Sequence, residues 1–251
     1  MSAPFKDHFS TVAPDYARYR PHYPAELFQF LAALAPGRLL AWDCATGNGQ
    51  AAVLLATHFQ RVVATDASAA QLANAQQDPK VDYRAASAEA SGLADDSVDL
   101  LTVAQALHWF DIPRFFAEAG RVLRLNGVLA AWCYGQIQVK HPEAQRILDK
   151  FYSETVGPYW PPQRRLLEEG YRTIQFPWDE IRHPGFAMTA QFTLGELVGY
   201  LGTWSATGFY TEATGLDPLP GLTSQLAKLW GENEEKQPVT WPLSLRLGRQ
   251  A

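Results

Sequence analysis

Leu27, Phe28, Leu31, Leu34 and Ala35 recur at helical spacing between Pro24 and Pro36-Gly37, which predicts a helix over 24–36 with proline at its entry. Past it the period changes. Short apolar runs at 38–42, 61–65, 81–85, 98–104 and 128–134, each bounded by turn residues, predict five strands. Stretches of helical spacing lie between several of them: 50–59, a segment through 72–77 with Ser68 as its N-cap, and 112–125 with Phe115, Phe116, Ala119, Val122 and Leu123 on one face. The run 98–104 is almost wholly apolar, as in a parallel strand buried on both faces. Strands alternating with helices over the first 135 residues predict an α/β fold, a parallel sheet covered by helices on both sides.

The alternation stops after Tyr134. Residues 136–185 are rich in proline and aromatics (Tyr152, Tyr159, Trp160, Phe176, Trp178) and predict a mainly helical insertion. Helices follow at 193–205, with Leu194, Leu197, Val198, Leu201 and Trp204 on one face, and at 219–230. A late strand at 239–247 contains Pro242, which suits an edge or an end better than a central position.

The length, 251 residues, fits one elaborated α/β domain, and 47% apolar against 19% charged residues marks a folded chain. A net charge of −5 supplies no general attraction for phosphate backbones or anionic membranes, so neither nucleic acid nor membrane is expected as a partner. Two cysteines, Cys44 and Cys133, point to a reducing compartment and to no zinc cluster; no metal is expected. The first 24 residues carry Lys6, Asp7, Asp15, Arg18 and Arg20, unlike a signal peptide, and no apolar run is long enough to span a bilayer. A cytoplasmic protein is expected.

The turn after the first strand, Asp43-Cys44-Ala45-Thr46-Gly47-Asn48-Gly49, has small residues that let a ligand approach the backbone, and the next helix presents free N–H groups to it. Asp66 closes the second strand 17 residues after Gly49, where a carboxylate can accept both hydroxyls of a ribose. Turn and acid together indicate an adenosine-containing ligand. Nicotinamide cofactors use the same geometry.

Asp-x-Ala-x-Gly-x-Gly resembles the nucleotide motif of class I S-adenosylmethionine-dependent methyltransferases, usually Asp-x-Gly-x-Gly-x-Gly. Further blocks agree in order: Thr65-Asp66-Ala67-Ser68, Ala86-Ser87-Ala88-Glu89, Asp96-Ser97-Val98-Asp99-Leu100, Ala106-Leu107-His108-Trp109-Phe110-Asp111 and Arg121-Val122-Leu123-Arg124-Leu125-Asn126-Gly127. The opening block, Tyr16 to Pro24, and the His-Trp-Phe block look like the subgroup related to trans-aconitate methyltransferase. The resemblance spans about residues 9 to 135 and implies a Rossmann-like sheet with a late antiparallel strand. Residues 1–135 would be the cofactor-binding core with an N-terminal lid, and 136–251 would complete the same domain and cap the acceptor pocket.

By the same resemblance Asp43, Ala45, Gly47 and Gly49 form the cofactor turn, the last three lining the methionine part. Asp66 would hold the ribose, Ala67 would sit beside the adenine, and Gln105 would border the cofactor. Ala45 stands where glycine is usual. Ser87 replaces the aspartate that commonly meets the adenine amino group, leaving its hydroxyl or the N–H of Ala88 to serve. Tyr16, Tyr19 and Tyr23 would belong to the lid, with an aromatic face near the sulfonium, and Arg20 would pair with a carboxylate of the cofactor or of an acidic substrate. His108 is expected to position the acceptor or to deprotonate it, an ordinary histidine pKa suiting a base at neutral pH. The expected function is methyl transfer from S-adenosyl-L-methionine, leaving S-adenosyl-L-homocysteine, to a small molecule, a carboxylic acid first, by a monomer or homodimer. A lipid-linked ring carbon or a protein as acceptor, a non-catalytic cofactor-binding sensor, and a nicotinamide-dependent oxidoreductase stay open as alternatives.

Overall fold

The computed structural model describes residues 21–231 and 235–251. Helix α1 (Ala25–Leu34) buries Leu27, Phe28, Leu31 and Ala32 on the predicted face. Strands β1 (Leu40–Cys44), β2 (Arg61–Asp66), β3 (Val81–Ala85), β4 (Val98–Ala104) and β5 (Leu123–Tyr134) pair in parallel in the order β3-β2-β1-β4-β5. Helices α2 (Gln50–Ala56), α3 (Ala69–Ala73) and α4 (Ile112–Val122) connect them. The Ser68 side chain accepts from Gln71 N at the start of α3, as its N-cap position predicts.

Successive residues of the central strands enter two separate apolar layers. Leu100, Val128, Ala130 and Trp132 join one, with α1 and α2, while Leu101, Val103, Leu129, Ala131 and Cys133 join the other, with α4. Alternation between two buried layers explains why β4 reads as a continuous apolar run.

Two boundaries differ from the sequence reading. Helix α4 ends at Val122, and β5 begins at Leu123 rather than at 128, because Leu123 already pairs with Val98. The register then jumps to Leu100 opposite Val128, and the surplus residues form a bulge in which Asn126 takes a left-handed φ of 65°. The late strand β8 (Gln237–Arg249) is interior, not an edge. It runs antiparallel to β5 and to the short β6 (Gln138–Val139) on one side, and to β7 (Phe186–Phe192) on the other. Pro242 is tolerated there because pairing with β5 stops at Leu243 and pairing with β6 resumes at Thr240, which interrupts the ladder at the residue lacking an N–H.

The insertion contains α5 (Pro142–Lys150), a π-helical turn (Phe151–Thr155) and α6 (Arg164–Glu168); beyond α6 it is irregular as far as β7. Helices α7 (Leu194–Gly202), α8 (Ser205–Thr214) and α9 (Leu219–Leu226) complete the chain, β7 and α8 being absent from the sequence reading. Only Ala206 and Thr207 of α8 are buried, so it has little apolar periodicity to read. Among the described residues no helix is long and apolar enough to cross a membrane.

Candidate functional site

The carboxyl ends of β1, β2 and β4 lie along one edge of the sheet, Cys44 level with Thr65 and with Val103. Strand order reverses between β1 and β4, the place where open α/β sheets bind ligands. The turn after β1 rests on β2: Thr46 N donates to Thr65 O at 2.9 Å, and Gly47 N donates to Asp66 Oδ2 at 2.8 Å. Ser68 N donates to Asp66 Oδ1, also at 2.8 Å. These bonds fix the plane of a buried carboxylate that can accept about four hydrogen bonds in all.

Ala45, Gly47 and Gly49 all adopt left-handed φ, at 55°, 58° and 84°. A methyl group on Gly49 would collide with the Tyr83 hydroxyl, whereas one on Gly47 would meet nothing nearer than Gln71 Oε1 at 3.9 Å. Open space over bare backbone beside a fixed carboxylate fits an adenosine cofactor lying across the turn. Ala45 adds a methyl group at a conformation that costs an L-residue about 1 kcal/mol.

Other expected contacts have different partners. Asp43 is buried and holds the turn: Thr46 Oγ1 donates to its Oδ2 at 2.5 Å and Thr102 Oγ1 to its Oδ1 at 2.7 Å. Burial outweighs both bonds and pushes its pKa up to about 6. Gln105, left-handed at φ 59°, clasps β5: its Oε1 accepts from Tyr134 N at 2.9 Å and its Nε2 donates to Tyr134 O at 3.2 Å. Its amide is thus engaged by backbone. Ala67 and Ser87 are exposed next to the ends of β2 and β3, and Ala88 is buried. Tyr23 packs edge-on against Trp132, ring centroids 5.5 Å apart. Tyr16, Tyr19 and Arg20 lie outside the described residues.

His108 sits in a single 3₁₀ turn (Leu107–Trp109) just past β4. Its Nδ1 is 3.0 Å from the hydroxyl of Tyr171, a fully buried residue of the insertion held at φ 59° directly after Gly170. Burial, with the positive charge of Arg164 adding to it, pushes the His108 pKa down to about 3. That is far from the value that suits a base at neutral pH.

Between the end of β5 and the insertion lies an open cavity of about 670 Å³, lined by Gly135, Tyr152, Trp160, Arg164 and Glu168 among others. The Arg164 guanidinium lies 4.3 Å over the Trp160 ring, and its Nε donates to the Tyr152 hydroxyl at 3.1 Å. That hydroxyl donates to Glu168 Oε1 at 2.6 Å. Sequence reading did not single out Tyr171, Arg164 or Glu168. The aromatic richness of 136–185 was the available signal, and it does not tell which ring faces the end of β4.

The methyltransferase domain family matches residues 42–131, which include the turn, Asp66 and β4. A methyltransferase of Dictyostelium discoideum is 34% identical over 229 residues, 90% of this chain and 87% of the relative. The chain belongs to the class I S-adenosylmethionine-dependent methyltransferases. A solved methyltransferase of Anaeromyxobacter dehalogenans, described as type II, superposes with a TM-score of 0.88 at 43% identity, covering 92% of this chain and 98% of that one. A Saccharomyces cerevisiae protein named as an S-adenosylmethionine-dependent methyltransferase is 30% identical over 62% of this chain and 58% of its own length. This methyltransferase therefore takes S-adenosylmethionine, whose sulfonium supplies an activated methyl group.

Proposed function

We propose that this enzyme methylates a carboxylate oxygen of a small-molecule acid, bound in the cavity between the end of β5 and the insertion. The observation that carries the reading is Arg164 on the cavity wall, its guanidinium lying over Trp160. Arg164 forms no ion pair within 4 Å among the described residues, the Glu168 carboxylate reaching it only through the Tyr152 hydroxyl, and its planar fork suits a carboxylate bidentately. A carboxylate is already ionised at neutral pH and needs no base, whereas a hydroxyl or amine acceptor would, and His108 is tuned away from that task. In-line transfer from an activated donor then needs mainly alignment in a water-poor cleft. The likeness of the opening block to the trans-aconitate methyltransferase subgroup supports the same acceptor class. In this reading residues 136–251 belong to the same domain as the core, the insertion caps the acceptor side, and the enzyme works in the cytoplasm, consistent with two free buried cysteines.

The test is transfer of label from S-adenosylmethionine to a panel of di- and tricarboxylic acids, matched alcohols and matched amines. Base-labile label on the acids is expected, and Arg164→Gln should raise KM at least tenfold with a smaller effect on kcat. Label appearing on alcohols or amines alone, or unchanged KM in Arg164→Gln, would reject the proposal.

A further inference from the structure

We infer that Tyr171 holds His108 as the Nε2–H tautomer, so that His108 meets the acceptor as a hydrogen-bond donor and takes no proton from it. The inference rests on the reading above only for the acceptor being a carboxylate; that the acceptor extends from the cavity, which His108 does not line, to the 3₁₀ turn is part of the inference. The tautomer itself follows from buried hydrogen-bond chemistry.

Tyr171 is fully buried, so its hydroxyl proton requires an acceptor within the protein. The partner at hydrogen-bond distance is His108 Nδ1, at 3.0 Å. No other acceptor lies within hydrogen-bond distance of that hydroxyl among the described residues, so its proton is donated to Nδ1. Nδ1 therefore keeps its lone pair. A neutral imidazole carries one proton, so that proton is on Nε2, which has no bonded partner among the described residues.

The surroundings keep the ring neutral. Arg164 of α6 is the charged group that acts on it, and its positive charge opposes protonation. Tyr171, whose own pKa burial raises, stays a phenol and so remains a donor. The Trp109 ring is tilted against the imidazole at 4.6 Å between centroids, and Tyr171 stacks on it at 6.2 Å. A ring confined by these contacts and by the Nδ1 bond has a fixed direction for Nε2–H. Tyr171 is thus a positioning residue acting through His108. An Nε2–H donor can bond the carboxylate oxygen that does not react, turning the other, the nucleophile, toward the methyl carbon; the O–CH3 bond forms as the S–CH3 bond breaks, with no change in protonation of the imidazole.

Long-range ¹H–¹⁵N spectra of the labelled full-length protein with S-adenosylhomocysteine test the tautomer without any acceptor. His108 is expected to show a protonated Nε2 and an unprotonated Nδ1 at every pH from 5.5 to 8.5, and Tyr171→Phe should shift this pattern toward a mixture. A protonated Nδ1, or a ring titrating near neutrality, would overturn the inference even if the labelled acceptor is a carboxylate. Kinetics on the acid that accepts label give a second readout, because a glutamine amide places an N–H near the position of Nε2 but cannot serve as a base. His108→Gln should keep turnover within about threefold of the wild type while His108→Ala loses tenfold or more. Equal losses in the two variants would overturn it, as would wild-type turnover in His108→Ala. Failure of every acid in the panel would instead count against the proposed function, leaving the spectra to decide the tautomer.

Discussion

Asp66 has a structural task in the fold and is proposed to have a second, toward the cofactor ribose. Its oxygens accept from Gly47 N and Ser68 N, which ties the end of β2 to the turn after β1. Asp66→Asn keeps one acceptor oxygen but loses the charge and turns its NH2 toward one of the two backbone donors, so it is expected to weaken S-adenosylhomocysteine binding by roughly 2 kcal/mol and to lower the melting temperature. Asp66→Ala also leaves two backbone donors without this acceptor and should melt lower. Titration calorimetry on the folded variants checks both, and unchanged affinity in Asp66→Asn would remove the residue from the ribose site. At this scale the sequence was most informative about the turn and its acid. It was least informative about Asp43 and Gln105, whose side-chain partners, Thr102 and Tyr134, come from other strands.

The end of β1 and the 3₁₀ turn after β4 each bury one ionisable group in an unfavourable protonation environment, and they bias stability in opposite directions. Asp43 has a raised pKa, about 6, so the folded state holds its proton more tightly than the unfolded chain does. Its contribution to stability therefore falls as pH rises from about 4 to 6, by up to roughly 3 kcal/mol. His108 has a lowered pKa, about 3, so the unfolded chain takes the proton first. Its contribution is complete above the ordinary histidine value and is lost as pH falls toward 3. Across pH 4 to 6 the two slopes partly cancel. Asp43→Asn is expected to leave the His108 slope exposed, so that melting temperature climbs more steeply with pH than in the wild type, as thermal scans at half-unit steps would show. Parallel curves for variant and wild type would mean that Asp43 is not buried as described.

Over the whole molecule, apolar layers on the two faces of the sheet make a scaffold that sets the turn after β1, Asp66 and the 3₁₀ turn after β4 at the carboxyl ends of its parallel strands. A cofactor bound only by the folded state stabilises it by mass action, about 2.7 kcal/mol at a hundredfold excess over Kd. For a chain of this length that corresponds to a rise of roughly 5–10 °C in melting temperature. S-adenosylmethionine and S-adenosylhomocysteine should both produce it and NAD should not. A shift with NAD alone would contradict the cofactor assignment.

The sequence by itself determined the elements of the first half, the glycine turn and the acid that follows it. Each of these is local: strand and helix periods, proline and glycine stops, and an N-cap at Ser68 are set by neighbours a few residues away, and the spacing from Gly49 to Asp66 is simply one helix and one strand. The tertiary structure decided what depends on distant residues meeting. Pro242 sits inside the sheet because β5 and β6 share one side of β8 with a break between them, which no property of residues 239–247 reveals. Strand β7 is defined by its ladder with β8 across some fifty residues of chain. The ordinary pKa of His108, read from residue type alone, suggested a base. Its environment is supplied by Tyr171 and Arg164, more than fifty residues further on, and a side chain's protonation follows the groups folding brings to it.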